Sequence, residues 1–208
     1  VSHRPLRQRP SGSVGSGSPV GVLGRVELGG RLPIIGAPEM DVLGQGVHAF
    51  LAADRTDRSR EDRFLREGMV LDRWNVAGHV GWSSLVGAAD RLWAFLDRRF
   101  PGARLRREVP VFATVGSQVI VGRVDLLVEI GDRFAVIDHK SFPGRESLWD
   151  ARAIAAASKL ESYARAVTLA TGRACAGLLA HLPVVGALSE VGSVSPRRLL
   201  PLAEAART

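Results

Sequence analysis

The sequence has almost no cysteine and no long apolar run. Its 208 residues contain one cysteine, Cys175. The chain therefore cannot build an intramolecular disulfide, a CxxC zinc site or a cysteine-ligated iron–sulfur cluster. No apolar run approaches the roughly 20 residues that cross a bilayer, so we expect no membrane partner. A chain with one thiol suits a reducing compartment, and the cytoplasm is the expected location.

Lysine is also scarce, although the chain is basic. Lysine and arginine together number 28 against 21 acidic residues, which gives a formal net charge of +7. Only Lys140 and Lys159 are lysines. A positive charge permits nucleic acid or acidic partners without proving them. The preference for arginine raises the question of what these two lysines do that arginine cannot.

The composition is that of a globular domain with an N-terminal extension. Hydrophobic residues make up 46% of the chain and charged residues 24%, which are ordinary proportions. Residues 1–38 are rich in proline, glycine and serine and are predicted to be a flexible linker. Within them, residues 20–28 and 31–35 are predicted to form a short hairpin. Residues 39–208 are predicted to form one domain.

The hydrophobic period changes along this domain from helical to alternating and back. Helical spacing predicts four helices, with Asp41 as the N-cap of the first: residues 41–53, 59–74, 83–100 and 148–171. Alternation and β-branched residues predict five strands: residues 104–114, 119–130, 133–141, 174–185 and 187–194. Residues from 195 onward are predicted to be a terminal helix or tail. The order of elements indicates an α/β fold.

Two carboxylates and one lysine stand out in the predicted strands. Asp138 and Lys140 share a face of their strand because side chains alternate, and they lie about 7 Å apart along it. Asp125 interrupts an otherwise apolar strand just before them. A buried carboxylate is costly unless a cation compensates it, and a hard divalent metal prefers oxygen ligands. Taken alone, the residues also fit a plain ion pair and a satisfied edge-strand carboxylate.

These residues belong to a longer series of motifs. Gly122-x-x-Asp125 is followed by Ile137-Asp138-x-Lys140 and by Leu160-x-x-Tyr163 on the next helix. A helical histidine motif around His48 and the strand that begins at Glu108-Val-Pro-Val-Phe come before them. The series resembles the RecB-type nuclease domain of the PD-(D/E)xK superfamily over about residues 39–185. It is particularly similar to the nuclease-like domains at the C-termini of UvrD/Rep- and AddA-like superfamily 1 helicases.

The resemblance implies a fold, a reaction and partners. The implied fold is a restriction-endonuclease-like core, a mixed central sheet flanked by helices and preceded by a helical segment. The implied reaction is hydrolysis of DNA phosphodiester bonds with Mg²⁺ or Mn²⁺ and without an iron–sulfur cluster. The implied partners are DNA, single-stranded or unwound, and a helicase domain in the same or an associated chain. The sequence begins at Val1 and not at a methionine, which fits the expectation that it is the C-terminal part of a longer helicase chain.

The resemblance also assigns metal-binding roles residue by residue. Asp125 and Asp138 would be metal ligands, with the backbone carbonyl of His139 as a third. His48 would bind the same metal through an imidazole nitrogen. Glu108 would lie near the metal, either as a ligand or as a hydrogen-bond acceptor for one of the ligands.

Further residues would act on the substrate. Lys140 would polarise the attacking water or stabilise charge on the phosphate, a task that suits a compact ammonium better than a guanidinium. Tyr163 would orient the motif helix or contact DNA. Lys159 stands where the family usually has glutamine, so it would contact a phosphate instead. A basic run before Glu108 is either a solvated strand end or a phosphate track: Arg104, Arg106 and Arg107.

Two other functions fit the same residues. One is a non-catalytic DNA-binding or docking module with the same fold, and the other is an RNA-processing nuclease. Intact Asp125, Asp138 and Lys140 favour an enzyme over a binding module. Ribose contacts would separate RNA from DNA, and the sequence does not show them.

Overall fold

A computed structural model describes residues 6–8, 20–115 and 118–193 of the chain. Within these residues, seven strands form one mixed sheet and four α-helices flank it. The strands are β1 Leu6–Gln8, β2 Val20–Glu27, β3 Arg104–Val115, β4 Gln118–Ile130, β5 Arg133–His139, β6 Ala174–Leu182 and β7 Ala187–Ser193. The helices are α1 Met40–Ala53, α2 Arg60–Arg73, α3 Trp82–Arg99 and α4 Trp149–Thr171. None of these helices is long and apolar enough to cross a membrane.

The central strand β4 has different partners along its two edges. The sheet order is β1-β4-β5-β6-β7-β2, and β3 also pairs with β4. β3 runs antiparallel along the whole of β4. On the other edge, β1 pairs with residues 118–120 and β5 with residues 126–130. Among the described strands, residues 121–125 therefore lack a partner on that edge, just where Asp125 lies.

The sheet separates two hydrophobic cores. Leu126 and Val128 of β4 pack with α1 and α3 on one face. Val124 and Leu127 of the same strand pack with the alanine-rich α4 on the other face. Both faces are covered at residues 126–128 of β4 and along β5, which explains the nearly continuous apolar sequence there. The predicted α/β class, a mixed sheet flanked by helices, is confirmed.

The helices match their predictions within about a residue at each end, with one difference at a cap. α2 begins after Ser59, whose hydroxyl accepts the Asp62 backbone N–H at 3.1 Å. α4 ends at Gly172, which adopts the left-handed conformation that glycine tolerates. The prediction of Asp41 as a cap is wrong, because α1 begins at Met40 and Glu39 is its N-cap. β5 and β6 end two and three residues earlier than predicted, at His139 and Leu182.

The N-terminal part of the described chain belongs to the domain. The hairpin predicted over residues 20–35 is wrong, because β2 pairs with β7 and Ile34 forms a bridge with Val80. Val26, Leu28 and Leu32 are buried in the core, so burial against β7 outweighs a local turn. The domain therefore begins before the predicted residue 39. Residues 1–5, 9–19 and 194–208, on which the linker and tail predictions also fall, lie outside the described residues.

A buried ion-pair network joins the three helices on the α1 side of the sheet. Asp54 follows α1, is fully buried, and accepts from Arg63 of α2 at 2.9 and 3.1 Å. It also accepts the indole N–H of Trp93 on α3. Arg63 in turn donates to Asp90 at 2.8 Å. The network fixes the end of α1, the helix that carries His48.

The first prediction concerns this network. We expect Asp54→Ala to lower the free energy of unfolding by about 3 kcal/mol, because it removes the main carboxylate from a buried guanidinium. Urea denaturation followed by circular dichroism measures the change. Asp57→Ala is the control, since Asp57 is exposed in the loop that follows. A loss no larger than that of the control would show that the network adds nothing to stability.

Candidate functional site

A cleft of about 840 Å³ opens between α1 and the part of the sheet where Glu108 of β3, Arg123 of β4 and His139 of β5 lie. It contains several of the residues that the sequence predicts. Its polar and charged lining comes from α1, the three strands, the loop after β5 and α4: Asp41, Gln45, His48, Glu108, Arg123, His139, Lys140, Ser141 and Arg152. The cleft therefore brings together several candidate functional residues.

His48 and Asp125 meet at the floor of the cleft. Leu43, Val47 and Phe50 bury one stripe of α1, which leaves His48 half-buried beside β4 and β5. Its Nε2 lies 3.1 Å from Asp125 Oδ2 and 2.9 Å from the His139 carbonyl oxygen. Both neighbours are acceptors, so Nε2 carries the proton and donates. Three donor atoms of a potential metal site thus converge on one point.

Glu108 completes this group from β3. Its carboxylate, His48 and Asp125 offer ligand atoms that all lie within 4.8 Å of one another. The ladder register places it opposite Asp125, between the pairs Arg107↔Leu126 and Val109↔Val124. Its φ is 52°, a left-handed value that is unfavourable for a glutamate. Strain of this kind persists where the surrounding structure fixes it, often at functional sites.

The second prediction separates the backbone of Glu108 from its carboxylate. We expect Glu108→Gly to leave the free energy of unfolding within about 1 kcal/mol of wild type or above it, because glycine accepts a positive φ. We expect its Mn²⁺ affinity, measured by calorimetry, to fall at least about tenfold. Glu108→Gln is the matched control, which keeps the strain and removes only the charge. Unchanged Mn²⁺ affinity in both variants would exclude Glu108 from the site.

Asp138 lies between the two lysines of the chain. Its carboxylate is 1% exposed. Lys159 Nζ of α4 donates to Oδ1 at 2.6 Å, and Lys140 Nζ lies 2.8 Å from Oδ2. Asp138 and Lys140 are therefore in contact, although β5 ends before Lys140 and strand alternation does not extend to it. Asp138 is adjacent to the His48–Glu108–Asp125 group but is not one of its three members.

Burial and charge determine the protonation states here. Burial raises the pKa of Asp125, but the hydrogen bond and charge of His48 outweigh it and the pKa is lowered. Burial lowers the pKa of His48, but the same bond and charge from Asp125 make the net shift upward. Burial also opposes the ammonium of Lys159, yet the charge of Asp138 raises its pKa. The Asp125 carboxylate is thus held ionised by His48 beside it.

A buried histidine pair, His139 and His181, lies next to His48. Burial lowers the pKa of His139 to about 3, so its ring is neutral. Its Nδ1 lies 2.9 Å from Nδ1 of His181 on β6, whose pKa is also lowered well below normal by burial. One ring donates and the other accepts. His139 additionally donates its backbone N–H to Asp125 at 2.7 Å, so this pair positions both the carboxylate and the carbonyl beside His48.

Tyr163 supports β4 directly below the site. Its side chain is 4% exposed, and its hydroxyl accepts the backbone N–H of Arg123 at 3.3 Å. A Cβ at Gly122 would lie 2.5 Å from that hydroxyl, so only glycine fits beneath the ring. Lys159 Nζ lies 5.3 Å from the ring centre. This burial favours orientation of the motif helix over contact with DNA.

The basic run before Glu108 does not form one continuous face. Arg106 pairs with Glu129 at 3.5 Å on the α4 side of the sheet. Arg107 packs over Trp93 of α3, on the other side. Arg104 is exposed and pairs in the ladder with Glu129, near the β4–β5 turn. The solvated strand end therefore describes this run better than a phosphate track.

The N-terminal segment fastens the loop that follows Lys140. Arg31 donates to the backbone carbonyl of Pro143 at 2.6 Å. Arg25 of β2 pairs with Glu146 at 2.7 Å and Asp150 at 3.0 Å. These contacts are long-range in sequence and join β2 to the start of α4. They show why residues 20–38 are part of the site's framework.

Sequence reasoning missed Arg123. It is 65% exposed, lines the cleft and lies 3.3 Å from Glu108. Alternation could have found it, because it stands two residues before Asp125 on the same strand and therefore on the same face. Arg152, which also lines the cleft and packs over Phe142, had no comparable signal.

Comparisons with known proteins do not assign a function to this chain. No protein-family model matches the chain, and no curated protein matches it. Among solved structures, one described as "Crystal structure of SSO0001" is 19% identical, with a TM-score of 0.31. The match covers 81% of this chain and 84% of that chain. A similarity at this level carries no argument about function.

Proposed function

We propose that this chain is a metal-dependent deoxyribonuclease with a RecB-type, restriction-endonuclease-like core. The observation that carries the proposal is the convergence of His48, Glu108 and Asp125 beside a carboxylate held by two lysines. One nitrogen and several carboxylate oxygens suit Mg²⁺ or Mn²⁺, and lysine ammonium groups suit a phosphate. The order of motifs along the chain supports the same function.

The donor geometry fits a divalent cation. Neighbouring ligands of an octahedral ion with bonds of about 2.1 Å lie about 3 Å apart. His48 Nε2 lies at 3.1 Å from Asp125 Oδ2 and 2.9 Å from the His139 carbonyl, so a cation could replace the proton they share. Glu108 would complete the ligands, and Asp138 lies next to them. When bound, the cation would supply a nucleophile near neutral pH and cover negative charge on the phosphate.

The protein's own groups would position the substrate. Lys140 Nζ is partly exposed to the cleft and would hold a non-bridging phosphate oxygen. Asp138 would keep that ammonium in place through its Oδ2. Arg123 would give a second cationic contact at the cleft wall. The His139–His181 pair would hold the Asp125 carboxylate in one orientation.

The proposed substrate is single-stranded or unwound DNA, delivered by a helicase domain in the same or an associated chain. The net charge of +7 supports a polyanionic partner. The similarity to helicase-linked nuclease domains supports the helicase. A reducing cytoplasm remains the expected location, on the strength of the single cysteine.

A cleavage assay tests the proposal. Purified protein would be incubated with labelled single- and double-stranded DNA in Mg²⁺, Mn²⁺ or EDTA. We expect cleavage in either metal and none in EDTA. If a folded sample bound DNA but neither cut it nor bound Mn²⁺ by calorimetry, the non-catalytic module would replace the nuclease.

The third prediction concerns Lys159. Its ammonium neutralises Asp138 at the place where a cation would bind, so the two compete. We expect Lys159→Gln to bind Mn²⁺ at least about threefold more tightly, because one positive charge within a few ångströms is removed. Calorimetric titration measures this, with Arg165→Gln on the same helix as the control. Weaker Mn²⁺ binding in Lys159→Gln would show that the lysine supports the ligands rather than competing.

A further inference from the structure

The two strands that carry Glu108 and Asp125 continue past the cleft as an antiparallel hairpin that is buried on one face and exposed on the other. One face of this hairpin carries an apolar pair and a cation: Phe112, Val121 and Arg123, here called the hairpin face. Phe112 is 70% exposed and Val121 is 38% exposed. They are directly opposite each other in the ladder. A large aromatic ring at this exposure contributes little to the fold of the chain.

The hairpin face is continuous with the cleft. Arg123 contacts Glu108 and lines the cleft, so its side chain lies on the side of His48. Val121 stands two residues earlier on β4 and therefore faces the same way. Val111 and Ala113, which alternate with Phe112, are buried against α4 on the opposite side. At about 3.3 Å per residue, Val121 lies about 13 Å from Asp125 along the strand.

The chemistry of this face selects one kind of occupant. An unpaired base has two apolar π-faces that stack on an exposed aromatic ring, and its phosphate pairs with a neighbouring cation. The hairpin face offers a ring and then a guanidinium in line with the cleft. A duplex keeps its bases stacked on one another, so it cannot use an isolated ring in this way. Arg123 pairs with Glu108 at 3.3 Å, but it is 65% exposed and therefore still accessible to a phosphate.

We propose that the hairpin face is a subsite for single-stranded DNA, in which Phe112 stacks on an unpaired base and Arg123 contacts the adjoining phosphate. This inference deepens the proposed nuclease function, because the strand held there leads into the His48–Glu108–Asp125 group. Val121 provides the apolar floor beside the ring. The subsite would explain a preference for unpaired strands without any contact to a base edge.

Binding in EDTA tests the subsite apart from cleavage. Fluorescence anisotropy with a labelled oligo-dT would compare wild type, Phe112→Ala and Phe112→Tyr. We expect the alanine variant to bind at least about fivefold more weakly and the tyrosine variant to bind within about twofold of wild type, because stacking needs only a ring. Leu169→Ala is the matched control, since Leu169 is 59% exposed on α4, on the other side of the sheet. Duplex DNA is expected to bind all four proteins alike.

A fluorescent substitution gives a second readout. In Phe112→Trp, oligo-dT should quench indole emission more than it does in wild type, because the new ring would stack on a base. Wild-type affinity in Phe112→Ala together with no added quenching in Phe112→Trp would overturn the subsite, whether or not the protein cuts DNA. If the wild-type protein did not cleave DNA in metal but its DNA binding still depended on Phe112, the proposed nuclease function would be overturned and the subsite would stand.

Discussion

Replacing Asp125 by asparagine is expected to abolish metal-dependent DNA cleavage in a protein that still folds. The carboxylate is 7% exposed and provides one of the oxygens that converge with His48 and Glu108. An amide has nearly the same shape, and its oxygen can still accept the His139 backbone N–H. It carries no charge, so it binds a divalent cation poorly. We expect the cleavage rate and the Mn²⁺ affinity each to fall at least about a hundredfold.

Asp132→Asn is the matched control for this prediction. Asp132 is exposed in the β4–β5 turn and is not among the residues that line the cleft. The control should retain wild-type cleavage, Mn²⁺ affinity and urea midpoint. Binding of single-stranded DNA in EDTA should stay within a few-fold for both variants. If Asp125→Asn were to cut DNA at the rate of the control, the His48–Glu108–Asp125 group would not be the catalytic centre.

The sequence predicted most elements because their signals are local. The apolar stripe of α1, the Ser59 cap of α2 and the glycine after α4 each act within a few residues. The pairing of β2 with β7 could not be predicted, because its partner lies about 160 residues further along the chain. Gly29 and Gly30, which follow β2, are typical of a hairpin turn and led to that prediction. Burial of Val26 and Leu28 in the tertiary core outweighed that local preference.

The candidate site divides in the same way. Strand alternation predicted that Asp138 and Lys140 share a face; the structure ends β5 at His139 and still brings the two side chains within 2.8 Å. The order of motifs suggested that His48 would approach the same strands. The left-handed backbone of Glu108 could not be predicted, since glutamate has no preference for it. The contact between His139 and His181 depends on the parallel pairing of β5 and β6. No local turn in the sequence indicates that pairing, so the contact could not be predicted.

The two lysines differ in the contacts that fix their positions. Lys140 follows β5 directly, and its backbone N–H donates to the His181 carbonyl at 2.8 Å, so its position is fixed. Its ammonium must contact Asp138 and still reach into the cleft. Lys159 extends from α4 and contacts Asp138 from the side. A change of cation at Lys159 is therefore expected to alter charge balance. Under the proposed function, a change at Lys140 would instead alter the geometry at the reacting phosphate.

Lys140→Arg is accordingly expected to be nearly as damaging as Lys140→Ala, with both single-turnover rates reduced about a hundredfold or more. A guanidinium is larger, spreads its charge and binds a carboxylate through two parallel hydrogen bonds, so it would lock onto Asp138 instead of facing a phosphate. Lys159→Arg is the matched control at the same carboxylate and should stay within about tenfold of wild type, because there the need is for charge alone. Wild-type cleavage in Lys140→Arg would show that any cation suffices. Equal losses in both arginine variants would mean that disturbance of Asp138, and not the ammonium of Lys140, limits the rate.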